Sequence, residues 1–193
     1  MVDNFEQIKK LLEFTSEDDF YFAQIIQRKK DNPDTSGTNN SARLIKAYYI
    51  KSIEQLDRQR EEMLLLADHY NARVHINLNK RSFEKTAFHT LKKITDQILN
   101  KDFKSVRRAF SSVCGEYSTG DKKWIIDIDD INVNALEIKE YLYKQQPFGD
   151  KYIATIPTRH GYHLIVKPFN LSTWSMIYTH DVHKNNPTLL YCK

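Results

Sequence analysis

The stretch WIIDID, Trp124–Asp129, decides the reading of the fold. Its apolar, β-branched residues broken by two aspartates predict a strand. Successive side chains of a strand point to opposite faces. Trp124, Ile126 and Ile128 therefore take one face, and Asp127 and Asp129 share the other. Two adjacent carboxylates repel, and a divalent cation relieves the repulsion; Mg2+ or Mn2+ prefers such hard oxygen ligands. Phosphoryl-transfer sites use this arrangement to hold metal against phosphate. Acidic strand ends also cap turns, so Asp129 and Asp130 have a plain structural use as well.

Working outward, the chain alternates helix and strand with short links. Downstream, Asn134 and Glu137 open a helix to about Gln145. Strands at Tyr152–Ile156 and Tyr162–Lys167 flank PTRHG, a tight connection. A short helix follows around Leu171–Tyr178, then a last strand near Thr188–Tyr191. Upstream, Phe5, Ile8, Leu11 and Leu12 have helical spacing within Asn4–Phe14. Asp18–Arg28 and Arg43–Ile50 read as paired strands around the turn-rich DNPDTSGTNNS (Asp31–Ser41), expected to be a mobile loop. Ser52 and Gln55 form a capping box. The helix they open faces Ile53, Leu56, Met63, Leu64 and Ala67 inward. Ala72–Leu78 alternates as a strand. Ser82 then caps a helix whose apolar face is Phe83, Ala87, Leu91, Ile94 and Ile98. The expectation is an α+β protein, one compact unit of two α/β lobes, 1–115 and 116–193, joined near Cys114–Gly120.

Hydrophobic residues at 40% and charged residues at 28% fit a folded globular chain. Two cysteines in no CxxC arrangement argue against a disulfide framework and a cysteine zinc site. No apolar stretch approaches the roughly 20 residues needed to span a bilayer, and MVDNFEQIKK lacks the apolar run of a signal peptide. A cytoplasmic location without membrane contact is the expectation. The net charge of +4 is unevenly spread: Arg73–Phe110 holds ten basic residues against three acidic ones. A basic segment beside an acidic one suits a polyanion held near a metal; a solvated helix face has the same composition.

Further features could carry chemistry. His163, after Gly161 in TRHGYHLIV, could position a phosphate or be a hydrogen-bonded core histidine. His160 lies on the opposite face of a regular strand, which argues against a shared metal. Arg159 is better placed as a phosphate contact, since guanidinium binds phosphate bidentately. Lys80, Arg81 and Ser82 stand where a strand meets a helix N-terminus, a plausible phosphate site or an ordinary cap with two exposed bases. Asp181 could complete a three-carboxylate metal site with Asp127 and Asp129, or be a loop aspartate. Lys184, just beyond it, is a further candidate phosphate contact.

Taken in order, WIIDIDD, RHGYH and Asp181 resemble the archaeo-eukaryotic primase superfamily, in a minimal or divergent form. That family carries Asp-x-Asp on a strand, then a Ser-x-His strand motif, then a later aspartate. The likeness covers roughly Lys123–Tyr191. It implies a palm on an RNA-recognition-like sheet in the C-terminal half, with Asp127, Asp129, His163 and Asp181 as catalytic residues. It also implies two Mg2+ or Mn2+ ions, nucleoside triphosphates, a single-stranded DNA or RNA template and a replication-protein partner. Gly161 stands where the family has serine, and Asp181 follows His180 rather than an apolar residue. Two other readings compete. A metal-dependent nuclease or phosphodiesterase would use the same carboxylates with His163 as base. A non-catalytic single-strand-binding module would need no metal. Two-histidine phosphoesterases fit less well, since His75 and His163 lack the Ser or Thr two residues on.

Overall fold

The computed structural model describes residues 1–33 and 42–193. The chain is a mixed α+β protein built on two antiparallel sheets. The first sheet has the order β1 (Val2–Asp3), β10 (Thr188–Cys192), β4 (Arg73–Ile76), β2 (Asp19–Arg28), β3 (Ala42–Ile50), with β5 (Arg81–Ser82) on the far end of β2. The second has the order β7 (Tyr152–Pro157), β8 (Tyr162–Val166), β6 (Trp124–Ile128), β9 (Val182–His183). Along the chain that sheet is interrupted by α5 (Ala135–Tyr143) after β6 and α6 (Trp174–Ile177) after β8.

Period-two patterning sets what each sheet buries. Tyr21, Ala23 and Ile25 of β2 and Val74 and Ile76 of β4 pack with Leu56, Met63 and Ala67 of α2 (Ile53–His69) and with Phe5 and Ile8 of α1 (Phe5–Lys9). Ile125, Ile156 and Ile165 of the second sheet join this core. Ile126, Ile128, Leu164 and Val166 turn the other way, onto Ile138 and Leu142 of α5 and Trp174 of α6. Side-chain caps start the helices where the sequence places them. Ser52 accepts from Gln55 N–H, Ser82 from Lys85 N–H, and Asn134 from Leu136 N–H. Each satisfies a backbone donor that the first helical turn leaves free.

Buried amides tie the sheets together. Asn4 donates to the carbonyls of Pro157 and Leu189, both at 2.9 Å. Asn79 accepts from Lys123 N–H at 2.6 Å and donates to the carbonyls of Lys123 and Lys184. They fix β6 and β9 against the link between β4 and β5.

The structure departs from the sequence expectations in several places. The last strand leaves the second sheet and pairs with β4 and β1. A single cut near residue 115 therefore does not separate two lobes. The first helix ends at Lys9 rather than Phe14. Helix α3 (Phe83–Leu99) leaves most of its apolar face in solvent: Phe88, Leu91, Ile98 and Leu99 are exposed, Ala87 is exposed, and Thr86 is the residue it buries. Of the loop expected at Asp31–Ser41, residues 34–41 lie outside the described residues; Lys29–Asp31 form a single 3-10 turn. No helix among the described residues is long and apolar enough to cross a membrane.

Candidate active site

Asp127 of β6 and His163 of β8 are direct cross-strand partners. Partners in an antiparallel pair project to the same face. Their side chains meet, His163 Nε2 lying 3.4 Å from Asp127 Oδ1. The other ring nitrogen, Nδ1, lies 2.8 Å from the hydroxyl of Thr188 on β10. The imidazole is thus held from both sides, by one residue of each sheet. The hydrogen bond from His163 holds the Asp127 carboxyl below its ordinary value against the opposing effect of burial, helped by the charges of His163, His183 and Arg28.

The pair opens into a cleft of about 300 Å3 where the two sheets meet. The first sheet contributes Arg28, Arg73 and His75, and the second contributes Asp127, Asp129 and His163. Thr158, Arg159 and His160 of the β7–β8 turn close one end. The turn is fixed by Thr158 N–H donating to the Gly161 carbonyl and Gly161 N–H to the Thr158 hydroxyl. Four cations, Arg28, Lys30, Arg73 and Arg159, face three carboxylates, Asp31, Asp127 and Asp129. An adjoining hollow of about 280 Å3 shares Arg28, His75, Asp127 and His163 and adds His183.

Two of these groups are locked. Arg73 donates twice to Asp31, at 2.8 and 2.7 Å, and Arg159 stands 3.6 Å away. Burial pushes the Asp31 carboxyl up, but the Arg73 hydrogen bonds and the surrounding arginines outweigh it and hold it below its usual range. His75 is the opposite case. Burial drives its pKa down to about 4, and its Nδ1 has no partner among the described residues. It is a neutral imidazole at the base of the cleft.

Asp127, Asp129, His163 and Arg159 come together in this cleft. Asp130, not Asp129, performs the turn-capping task, accepting from Asn132 N–H. The other candidates are elsewhere. Asp181 reaches Asp127 through backbone alone: its carbonyl accepts the Asp127 N–H at 3.0 Å, while its side chain is exposed and lines neither hollow. Lys184 sits over the Trp124 ring at 5.2 Å. Lys80 is held by Asp19 and the Thr15 hydroxyl. Arg81 is buried, donating to the carbonyls of Cys114 and Asn79. Neither Lys80 nor Arg81 reaches the cleft, because β5 pairs with the end of β2 opposite Arg28. From the basic segment Arg73–Phe110, the cleft takes Arg73 and His75; the α3 lysines point elsewhere. Sequence reasoning missed Arg28, Asp31 and His75 as site residues. A signal was there for one of them: His75, like Arg73, alternates with the buried Val74 and Ile76.

Gly161 has a structural cause. A Cβ placed on it would lie 1.9 Å from the Ile128 carbonyl oxygen. The serine of the primase motif has no room here, and the glycine allows β8 to approach the end of β6.

Among the described residues, no group of three or more His, Cys, Asp or Glu side chains is gathered in metal-holding geometry. Asp31 is taken by Arg73, which leaves Asp127 and Asp129, and Mg2+ is commonly held by one or two carboxylates together with substrate phosphates. Compared with protein-family models, curated proteins and solved structures, the chain matches none.

Proposed function

We propose that this chain is a primase-polymerase-like nucleotidyltransferase, adding nucleotides to a strand read against a single-stranded template. The observation that carries the reading is the Asp127–His163 cross-strand pair, set beside Asp129 in a cleft walled by Arg28, Lys30, Arg73 and Arg159. Its β-α-β-β-α-β order of β6, α5, β7, β8, α6 and β9 agrees with the sheet that the resemblance implies. Asp127 and Asp129 would hold Mg2+ or Mn2+, which supplies charge neutralisation at the phosphates. Arg159, Arg28 and Lys30, none of them hydrogen-bonded to a carboxylate among the described residues, are placed to take phosphate oxygens. His163, oriented by Thr188 and Asp127, contacts the reacting nucleotide. Asp181 is left without a catalytic part in this scheme.

The test is Asp127→Asn with Asp129→Asn. Primer extension and de novo synthesis with Mg2+ or Mn2+ should be abolished, while binding to a single-stranded oligonucleotide is retained. A wild type that binds strands, never incorporates a nucleotide and behaves as the double variant does would leave a binding module instead. The phosphodiesterase reading would take His163, beside Asp127 in the same cleft, as its base. Carboxylate-dependent degradation of strands would select it.

A further inference from the structure

A buried cation with neither counter-charge nor a full set of acceptors is rare in folded proteins, because both absences are strongly destabilising. Arg81 shows both. Its side chain is 1% exposed. Nε and Nη1 donate to the Cys114 and Asn79 carbonyls, which are neutral acceptors, and Nη2 has no partner among the described residues. Desolvation lowers its pKa to about 10, which still leaves it charged at neutral pH. Cys114 and Tyr21 are the nearby groups that could oppose the charge. Burial pushes both up, Cys114 to about 12, so neither is ionised at neutral pH.

Beside Arg81 lies a cavity of about 140 Å3 at the start of α3. It is lined by a second cation, Lys85, and by four hydroxyl-bearing residues, Ser82, Thr86, Ser118 and Thr119. His89, stacked on Tyr117 at 3.9 Å, forms a wall. Among the described residues, no acidic one lines it. Lys122, donating to the Ser118 hydroxyl and carbonyl, adds a third positive charge next to it. The backbone of α3 is not the attraction. Its first N–H groups are already taken by the Asp18 carbonyl, the Asp18 carboxylate and the Ser82 hydroxyl. The side chains alone make the cavity positive.

We infer that this cavity is an anion site for a group the size of a single phosphate, with Arg81 and Lys85 as its cations and the hydroxyls as further donors. It is smaller than the roughly 300–1,000 Å3 that encloses a drug-sized ligand, so it takes a phosphoryl group rather than a whole nucleotide. It shares no residue with the Asp127 cleft and stands independently of the nucleotidyltransferase reading. The anion can be free orthophosphate or the terminal phosphate of a strand.

The full chain is melted in an orthophosphate titration, against sodium chloride at matched ionic strength. The wild type should show a saturable rise in Tm that chloride does not give. Lys85 is exposed, so Lys85→Ala keeps the fold; the phosphate concentration at half-effect should rise at least about tenfold. Arg81→Met should lose the response, and if that variant does not fold, Lys85→Ala carries the result. Asp127→Asn with Asp129→Asn should keep it. Fluorescence anisotropy with 5′-phosphorylated and 5′-hydroxyl oligonucleotides assigns the source. A preference for the phosphorylated end that orthophosphate competes away means a strand terminus, and equal binding means free phosphate. No saturable response in the wild type, an equal response in Lys85→Ala, or loss of the response in the Asp127/Asp129 variant overturns the inference.

Discussion

Replacing Gly161 by alanine adds one carbon where the structure has no room. The new Cβ would stand 1.9 Å from the Ile128 carbonyl oxygen and 2.9 Å from the Asp129 carbonyl carbon, and contacts below 3.0 Å do not persist. What it meets is backbone, so no side chain can rotate away. β8 and the end of β6 must move apart by roughly 1 Å, against close-packed neighbours. Overpacking of this kind costs about 1–3 kcal/mol, and a backbone clash belongs at the upper end. In a chain of this length each kcal/mol lowers Tm by about 2–4 °C, so a fall of about 6–12 °C is expected. The shift separates the strands that carry Asp127 and His163, so any activity of the cleft should fall with it. Thermal melts followed by circular dichroism measure the first effect. An alanine variant that melts within about 1 °C of the wild type would show that β8 does not pack against Ile128 in this way.

Three further outcomes follow from the same structure. In the unfolded chain His75 takes a proton near 6.5, but in the folded one only near 4, so the unfolded state binds more protons in between. Stability should therefore fall as pH drops from about 6.5 to 4, by about 3 kcal/mol from this residue, and urea titrations of His75→Gln should show a shallower fall. Arg73→Met strands the nearly buried Asp31 carboxylate and should cost about 3 kcal/mol by urea denaturation at pH 7; a loss below about 1 kcal/mol would mean that the bidentate pair does not form in solution. Leu91→Glu, on the exposed face of α3, should change stability by no more than about 0.5 kcal/mol, whereas Leu56→Ala in the core should cost about 2–5 kcal/mol. Comparable losses from the two would mean that α3 packs its apolar face after all.

Some of this protein could be read from the chain alone. Alternation in WIIDID places Ile126 and Ile128 on one face and Asp127 on the other, because the pleat imposes a period of two on any strand. Ser52, Ser82 and Asn134 mark helix starts, because a capping hydroxyl or amide reaches N–H groups two or three residues away. These are short-range effects, and the residues that decide them are neighbours in sequence. Other features depended on what lies across a gap in the chain. The register that sets His163 opposite Asp127, with Thr188 behind it, joins segments 25 and more residues apart. Lys80 and Arg81 look as available as Arg73 in a list of basic residues. Yet β5 pairs with one end of β2 and β4 with the other, so Arg73 enters the cleft and Arg81 is buried. The return of β10 to the first sheet and the exposure of Leu91 have the same origin. Local pattern dictates which way a side chain points, but only tertiary packing decides what it points at.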